Sequence, residues 1–197
     1  MWYWLFSLIF FFVFKCFFGL KVEGLENIPQ KSNFIIIANH NSFLDPAVIM
    51  AAVRKKIHCI SIRDIYRMSW LVWFLKVTET LPCGSASQKA IDLLIENENV
   101  GLFAEGGISR DGKLKEFRRG SALLALKTGR PIVPCAIIGT FQALPFGARI
   151  PKLVPLKLKI GKPVFFAKEF DEEIDDLYLQ EGMFKLRSLI KGMLDAG

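Results

Sequence analysis

The chain has 197 residues, 52% of them hydrophobic and 13% aromatic, with 18 Phe and a formal net charge of +7. No internal repeat or low-complexity linker divides it, which points to a single core, and the apolar content predicts surface that meets something other than water. The positive charge favours an anionic partner, and because the aromatic residues gather at the N-terminus and not among the basic ones, nucleic acid is the partner class the pattern argues against. Four cysteines, Cys16, Cys59, Cys83 and Cys135, stand singly among apolar neighbours. That spacing suits neither a zinc site nor a disulfide framework, so buried thiols in a reducing compartment are expected and no metal is.

Taken in chain order, MWYWLFSLIFFFVFKCFFGL comes first and carries no charge before Lys15. It lacks the basic start and small-residue cleavage site of a signal peptide, so it is expected to remain attached as a membrane helix over residues 1–20, followed by a catalytic domain over 21–197. Spanning needs about 20 apolar residues, so crossing the bilayer and lying in its interface both stay open. Trp2, Tyr3 and Trp4 at one end, with Lys15 and Lys21 at the other, are types that anchor at headgroup level.

FIIIAN is a continuous apolar run of strand length, as in a sheet covered on both faces. Asp45-Pro46 has the form of an N-cap and a first-turn proline opening the helix AVIMAAV, which Arg54, Lys55 and Lys56 close. IHCISI reads as a strand, SWLVWFLKV as a helix and ETLPC as a short strand. KAIDLLIEN reads as a helix with Ile91, Leu94 and Ile95 on its apolar stripe, and NVGLFAEGG as a strand running into glycines. SALLALKTGRP is a helix stopped by Gly129 and Pro131, and PIVPCAII a further buried strand. A polar turn from Asp171 leads to a closing helix with Leu186, Leu189, Ile190 and Met193 inward. Alternation of this kind predicts an α/β domain, its largely parallel central sheet flanked by helices and its sites at the C-terminal strand ends.

One of the two histidines, His40, lies at the first such end, in ANHNSFLDP. Asp45 can fold back to accept the imidazole Nδ1 hydrogen, which leaves Nε2 as a base for a hydroxyl. Alone the pair is weak, because an N-cap explains Asp45 equally well. A second strand end, LFAEGGISR, adds weight. There Gly106 and Gly107 would let backbone amides approach an anion, and Arg110, Arg118 and Arg119 form a cationic rim suited to phosphate. Lys113 and Lys115 are as well explained as solvated charges.

These blocks resemble a family. NHNSFLD looks like the N-H-x4-D signature of the glycerophospholipid acyltransferases, and LFAEGGISRDG is similar to their F-P-E-G-T-R block. Phe117-Arg118-Arg119-Gly120 matches the F-K-x-G that follows, and Ile132-Val133-Pro134-Cys135-Ala136 resembles V-P-V. The order of the four blocks carries the resemblance, with the lysophosphatidate acyltransferases nearest in pattern.

The resemblance implies the glycerolipid acyltransferase fold and transfer of a fatty acyl group from acyl-CoA or acyl carrier protein to a glycerophospholipid hydroxyl, lysophosphatidate giving phosphatidate. The acyl donor is a substrate, and no cofactor is implied. His40 becomes the general base and Asp45 its orienter, while Glu105 and Gly106 belong to the phosphate and glycerol site. It also implies a membrane-associated protein whose catalytic domain faces the cytoplasm. Two departures stand out: no arginine follows the short strand at Leu81-Pro82-Cys83-Gly84-Ser85, and Ile108 occupies the arginine position of F-P-E-G-T-R. Arg110, Arg118 or Lys89 would then hold the acceptor, or the acceptor would be another lysophospholipid with a phosphodiester headgroup. A hydrolase using the same His-Asp pair is the rival reaction, and no G-x-S-x-G turn supports it. A lipid-binding module without catalysis has no use for a poised base.

Overall fold

The computed structural model describes residues 2–61, 75–76, 78–82, 86–166 and 176–196. The expected helix SWLVWFLKV lies outside these apart from Leu75 and Lys76, as do Cys83 and the polar turn that begins at Asp171.

Helix α1, Trp2–Phe17, is followed by strands β1, Lys21–Glu23, and β2, Ile35–Ala38, then by helix α2, Asp45–Ala52, and strands β3, Ile57–Ser61, and β4, Leu81–Pro82. Helix α3 is Ala86–Ile95, β5 Asn99–Phe103, α4 Gly120–Thr128, β6 Ile132–Ile138, α5 Thr140–Ala143, β7 Lys157–Ile160 and α6 Asp176–Asp195. The strands form one sheet in the order β1-β7-β6-β2-β5-β3-β4. β2 pairs in parallel with both β5 and β6, and β5 with β3, whereas β7 runs antiparallel to β6. The central strand β2 therefore has its C-terminal end between those of β5 and β6, the switch point where open α/β sheets place their sites.

Strand residues alternate between two cores, which explains the unbroken apolar runs in the sequence. Ile36, Ala38, Val133, Cys135 and Ile137 face α1 and α2, while Ile35, Ile37, Val100, Ile132 and Ala136 face α3, α4 and α6. Pro82, which gives up a ladder donor, sits in the edge strand β4 where that loss costs least. Gly129 ends α4 in the left-handed region at φ 65°, as its sequence position requires.

Three expectations are corrected. Ile95 is 69% exposed and the inward stripe of α3 is Ala90 and Leu94, one turn apart; likewise Leu189 of α6 is exposed, and Leu179, Gly182, Leu186 and Ile190 are buried. Cys16 is exposed, so the thiols are not uniformly buried. The third concerns the membrane segment. α1 has 16 residues, and no helix among the described residues is long and apolar enough to cross a membrane. At 1.5 Å per residue it reaches about 24 Å, short of the ~30 Å hydrocarbon layer.

Instead α1 packs along α2. Phe14 and Phe18 enter the core, Ser7 Oγ donates to Met50 O at 2.8 Å, and the Tyr3 hydroxyl accepts the Ile57 N–H at 3.0 Å. Its other side exposes Trp2, Trp4, Leu5, Leu8, Phe12 and Phe17.

Candidate active site

At the end of β2 the main chain must leave the sheet, and Asn39 makes that exit possible. Its side chain replaces one rung of the ladder: Nδ2 donates to Ile137 O at 2.9 Å and Oδ1 accepts the Ile137 N–H at 2.8 Å. Ser42 holds the loop beyond. Its hydroxyl donates to Leu144 O at 2.7 Å and accepts the Leu44 N–H at 3.1 Å.

His40 and Asp45 meet in this loop, with Nδ1 2.9 Å from Asp45 Oδ2. The same oxygen accepts the N–H groups of Asn41 at 2.7 Å and Ser42 at 2.8 Å. An oxygen already taking two N–H donors acts as an acceptor toward the ring too, so Nδ1 carries the hydrogen and Nε2 has the lone pair. Nε2 has no hydrogen-bond partner among the described residues, and the ring is 15% exposed. Phe103 stacks on the imidazole, centroids 4.0 Å apart and planes at 18°, fixing the direction in which Nε2 points.

Asp45 does not serve as the helix cap its position suggests. α2 has no side-chain cap hydrogen bond, because this carboxylate, fully buried, turns back to the loop.

Glu105 belongs to the same assembly. Its Oε1 accepts the His40 N–H at 2.8 Å and its Oε2 the Lys115 N–H at 3.0 Å. Burial raises its carboxyl pKa above the ordinary value of 4.5, partly offset by those two hydrogen bonds and by the nearby His40 and Lys115 charges. The return bond, from Ser109 N–H to His40 O at 2.7 Å, completes a two-way link between the histidine loop and the glycine turn. Both Glu105 oxygens are thus committed to the backbone around the base.

In the turn itself Gly106 lies at φ 69°, and a Cβ there would collide with the Arg118 side chain. Only glycine permits both the left-handed conformation and this approach. The Gly106 N–H donates to Phe103 O at 3.0 Å, while Gly107 has open space where a Cβ would be.

The cationic rim separates into three. Arg118 lies against the turn, next to Gly106. Arg119 is drawn away to Asp176 of α6, 3.1 Å between Nη2 and Oδ2 in an exposed pair. Arg110 places its guanidinium carbon 5.3 Å from the centre of the Phe146 ring.

Asn39, Ser42, Phe103 and Phe146 were not singled out by their sequence positions. A buried asparagine directly after an apolar strand was the available signal for Asn39. Nothing local marks Phe146, which arrives from a segment more than 100 residues away. Among the described residues no group of three or more His, Cys, Asp or Glu could hold a metal ion.

A histidine with a buried carboxylate, set at a parallel-sheet switch point beside a glycine turn and a guanidinium, has the chemistry needed to take a proton from a hydroxyl near an anion. The profile of the Acyltransferase family matches residues 19–138, and the chain belongs to that family. It is 30% identical over 153 residues to a 1-acyl-sn-glycerol-3-phosphate acyltransferase of Bacillus subtilis, covering 74% of each chain. With a chloroplastic enzyme of the same name from Arabidopsis thaliana it shares 28% identity over 162 residues, which is 77% of this chain and 45% of that one. For one from Borreliella burgdorferi the figures are 32% over 132 residues, 62% of this chain and 53% of that one. The chain therefore spans about half the length of several of its relatives. The crystal structure of the 1-acyl-sn-glycerophosphate acyltransferase of Thermotoga maritima superposes with a TM-score of 0.79 at 27% identity, covering 98% of this chain and 79% of that chain.

Proposed function

We propose that this protein transfers a fatty acyl group from acyl-CoA or acyl carrier protein to the free hydroxyl of lysophosphatidate, forming phosphatidate. The observation that carries the reading is the 2.9 Å contact between His40 Nδ1 and Asp45 Oδ2, which leaves Nε2 free as a base at the end of the central strand. The names of the relatives support the acceptor.

In this reading Nε2 takes the acceptor's hydroxyl proton as its oxygen attacks the thioester carbonyl. The tetrahedral intermediate collapses, the carbon–sulfur bond breaks, and the leaving thiolate recovers the proton from the imidazolium. Asp45, through the Oδ2 that faces Nδ1, stabilises the transient imidazolium. The backbone amide of Gly107 in the adjoining turn is assigned to oxyanion stabilisation, and Arg118, which lies against Gly106, to the acceptor phosphate. The apolar side of α1 lies in the membrane interface, and the catalytic domain faces the cytoplasm, where both acyl donors are met.

Offering the purified full chain labelled acyl-CoA, or labelled acyl carrier protein, with a panel of lysophospholipids tests this. Labelled phosphatidate from lysophosphatidate is expected. Product only from phosphodiester lysophospholipids would move the acceptor assignment, and labelled free fatty acid alone would replace the transfer by hydrolysis.

A further inference from the structure

Between α5 and β7 runs an irregular segment, residues 144–156, that no catalytic role uses. It leaves three large apolar side chains in solvent, Phe146 at 49%, Ile150 at 82% and Leu153 at 66% exposed. Arg149 and Lys152 stand among them, both exposed, and no acidic residue occurs from Phe141 to Lys168. Apolar tips separated by cations are the composition of a surface that enters an anionic headgroup layer.

The placement of the segment names the same partner. One end is tied to the catalytic loop: Leu144 O accepts the Ser42 hydroxyl at 2.7 Å, and the Phe146 ring stacks near Phe43 with centroids 6.2 Å apart. The other end is tied to α1, because the Leu156 N–H donates to Phe18 O at 3.0 Å, beside the exposed Phe17. The apolar side of α1 and this segment are thereby joined at the end of the sheet that carries His40.

We propose that residues 146–153 are a second lipid-contacting surface, which inserts Phe146, Ile150 and Leu153 into an anionic membrane and brings the mouth of the site to the lipid. The inference takes lipid as its occupant from the acyltransferase reading, but it is testable without turnover. Contact from α1 alone leaves the protein free to pivot about one rod, and a second contact at the active-site end fixes the tilt.

The test places a spin label at Ile150→Cys in a Cys16→Ser full chain, with the Cys16→Ser protein as the blank. Vesicles of phosphatidylcholine with phosphatidylglycerol should raise the label's collisions with oxygen and suppress those with an aqueous nickel chelate. A control label at Lys127→Cys, exposed on α4, should stay aqueous. Arg149→Ala with Lys152→Ala should lower the preference for phosphatidylglycerol vesicles over pure phosphatidylcholine by roughly 30-fold. A label at position 150 that stays fully chelate-accessible on bound vesicles overturns the proposal, whether or not the enzyme turns over. Spin–spin broadening between labels at 150 also overturns it, by putting a second copy on this surface.

Discussion

Glu105 Oε1 accepts the backbone N–H of His40 at 2.8 Å, so the carboxylate just beyond β5 fixes the main chain from which the His40 imidazole projects. Two adjacent strands hold one loop, and in the proposed mechanism Glu105 positions the base. Removing the side chain should cost turnover more than binding. We expect Glu105→Ala to lower kcat on the order of 10²-fold, as small misplacements of a base do, with the acceptor KM changed far less. Steady-state kinetics on the purified enzyme decides this, and equal loss in a thermal melt and in kcat at every temperature would mean simple unfolding.

The same residue predicts a pH dependence of stability. Its pKa is raised, so the folded protein holds the proton more tightly than the unfolded chain does. The resulting stabilisation is fully present below about 4.5 and is lost as pH rises through the higher folded value. Wild type should therefore lose stability relative to Glu105→Gln as pH increases above about 4.5, and the two curves should run parallel once the carboxyl has ionised. Denaturation midpoints at a series of pH values measure the difference, and parallel curves from pH 4 upward would contradict it.

His40→Ala should leave the fold near normal and reduce acyl transfer by ~10² to 10⁴. Asp45→Asn should approach that loss by a different route. The Oδ2 that takes the Asn41 and Ser42 N–H groups is also the atom that faces the ring, so an asparagine that keeps those bonds keeps an oxygen toward Nδ1 but loses the charge that stabilises the imidazolium. Rates for both variants beside circular dichroism check the pair. Because Asp45 is not a helix cap, helix loss in Asp45→Asn would be unexpected.

Arg118 lies against the Gly106 turn, whereas Arg119 pairs with Asp176 and Arg110 sits over Phe146. A charge-assisted contact to the acceptor phosphate stabilises by about 1.5 to 3 kcal/mol. Arg118→Ala should thus raise the acceptor KM by roughly 10- to 150-fold with little change for the donor, and Arg119→Ala should not. Measuring both constants for the two variants distinguishes them, and a larger effect at Arg119 would reverse the assignment.

Thiol chemistry should separate Cys16 from Cys135. Burial pushes the Cys135 thiol up to about 12 and closes it to reagents, while Cys16 is exposed on α1. Maleimide followed by peptide mapping should modify Cys16 in the native protein and Cys135 only after unfolding. Vesicles should protect Cys16 if the apolar side of α1 lies on lipid.

Strands β2, β5 and β6 were legible because strands buried on both faces read as unbroken apolar runs, and the two strand ends named His40, Asp45, Glu105 and Gly106 directly. Residues whose role is set by distant chain segments were harder. The resemblance implied a place for Glu105 in the phosphate and glycerol site, and local sequence does not reveal that Lys115 and His40 donate to its two oxygens. Asp45 looked like a cap because the turn that folds it backward depends on the amides of Asn41 and Ser42. Ile95 and Leu189 follow helical spacing but fall just outside the arc that the sheet covers. The apolar start left spanning and interfacial readings both open because composition says nothing of α2, which takes one side of α1 and leaves the other bare.

Asn39 has a further consequence. By standing in for a backbone rung against Ile137, it lets the chain depart from the sheet without unzipping β2 from β6. His40 is therefore located from three independent datum points: covalently from β2, through Glu105 from β5 and through its neighbour Asn39 from β6. Positional error in such an arrangement is averaged over three supports, so thermal breathing of any single strand displaces Nε2 by only a fraction of that strand's own excursion.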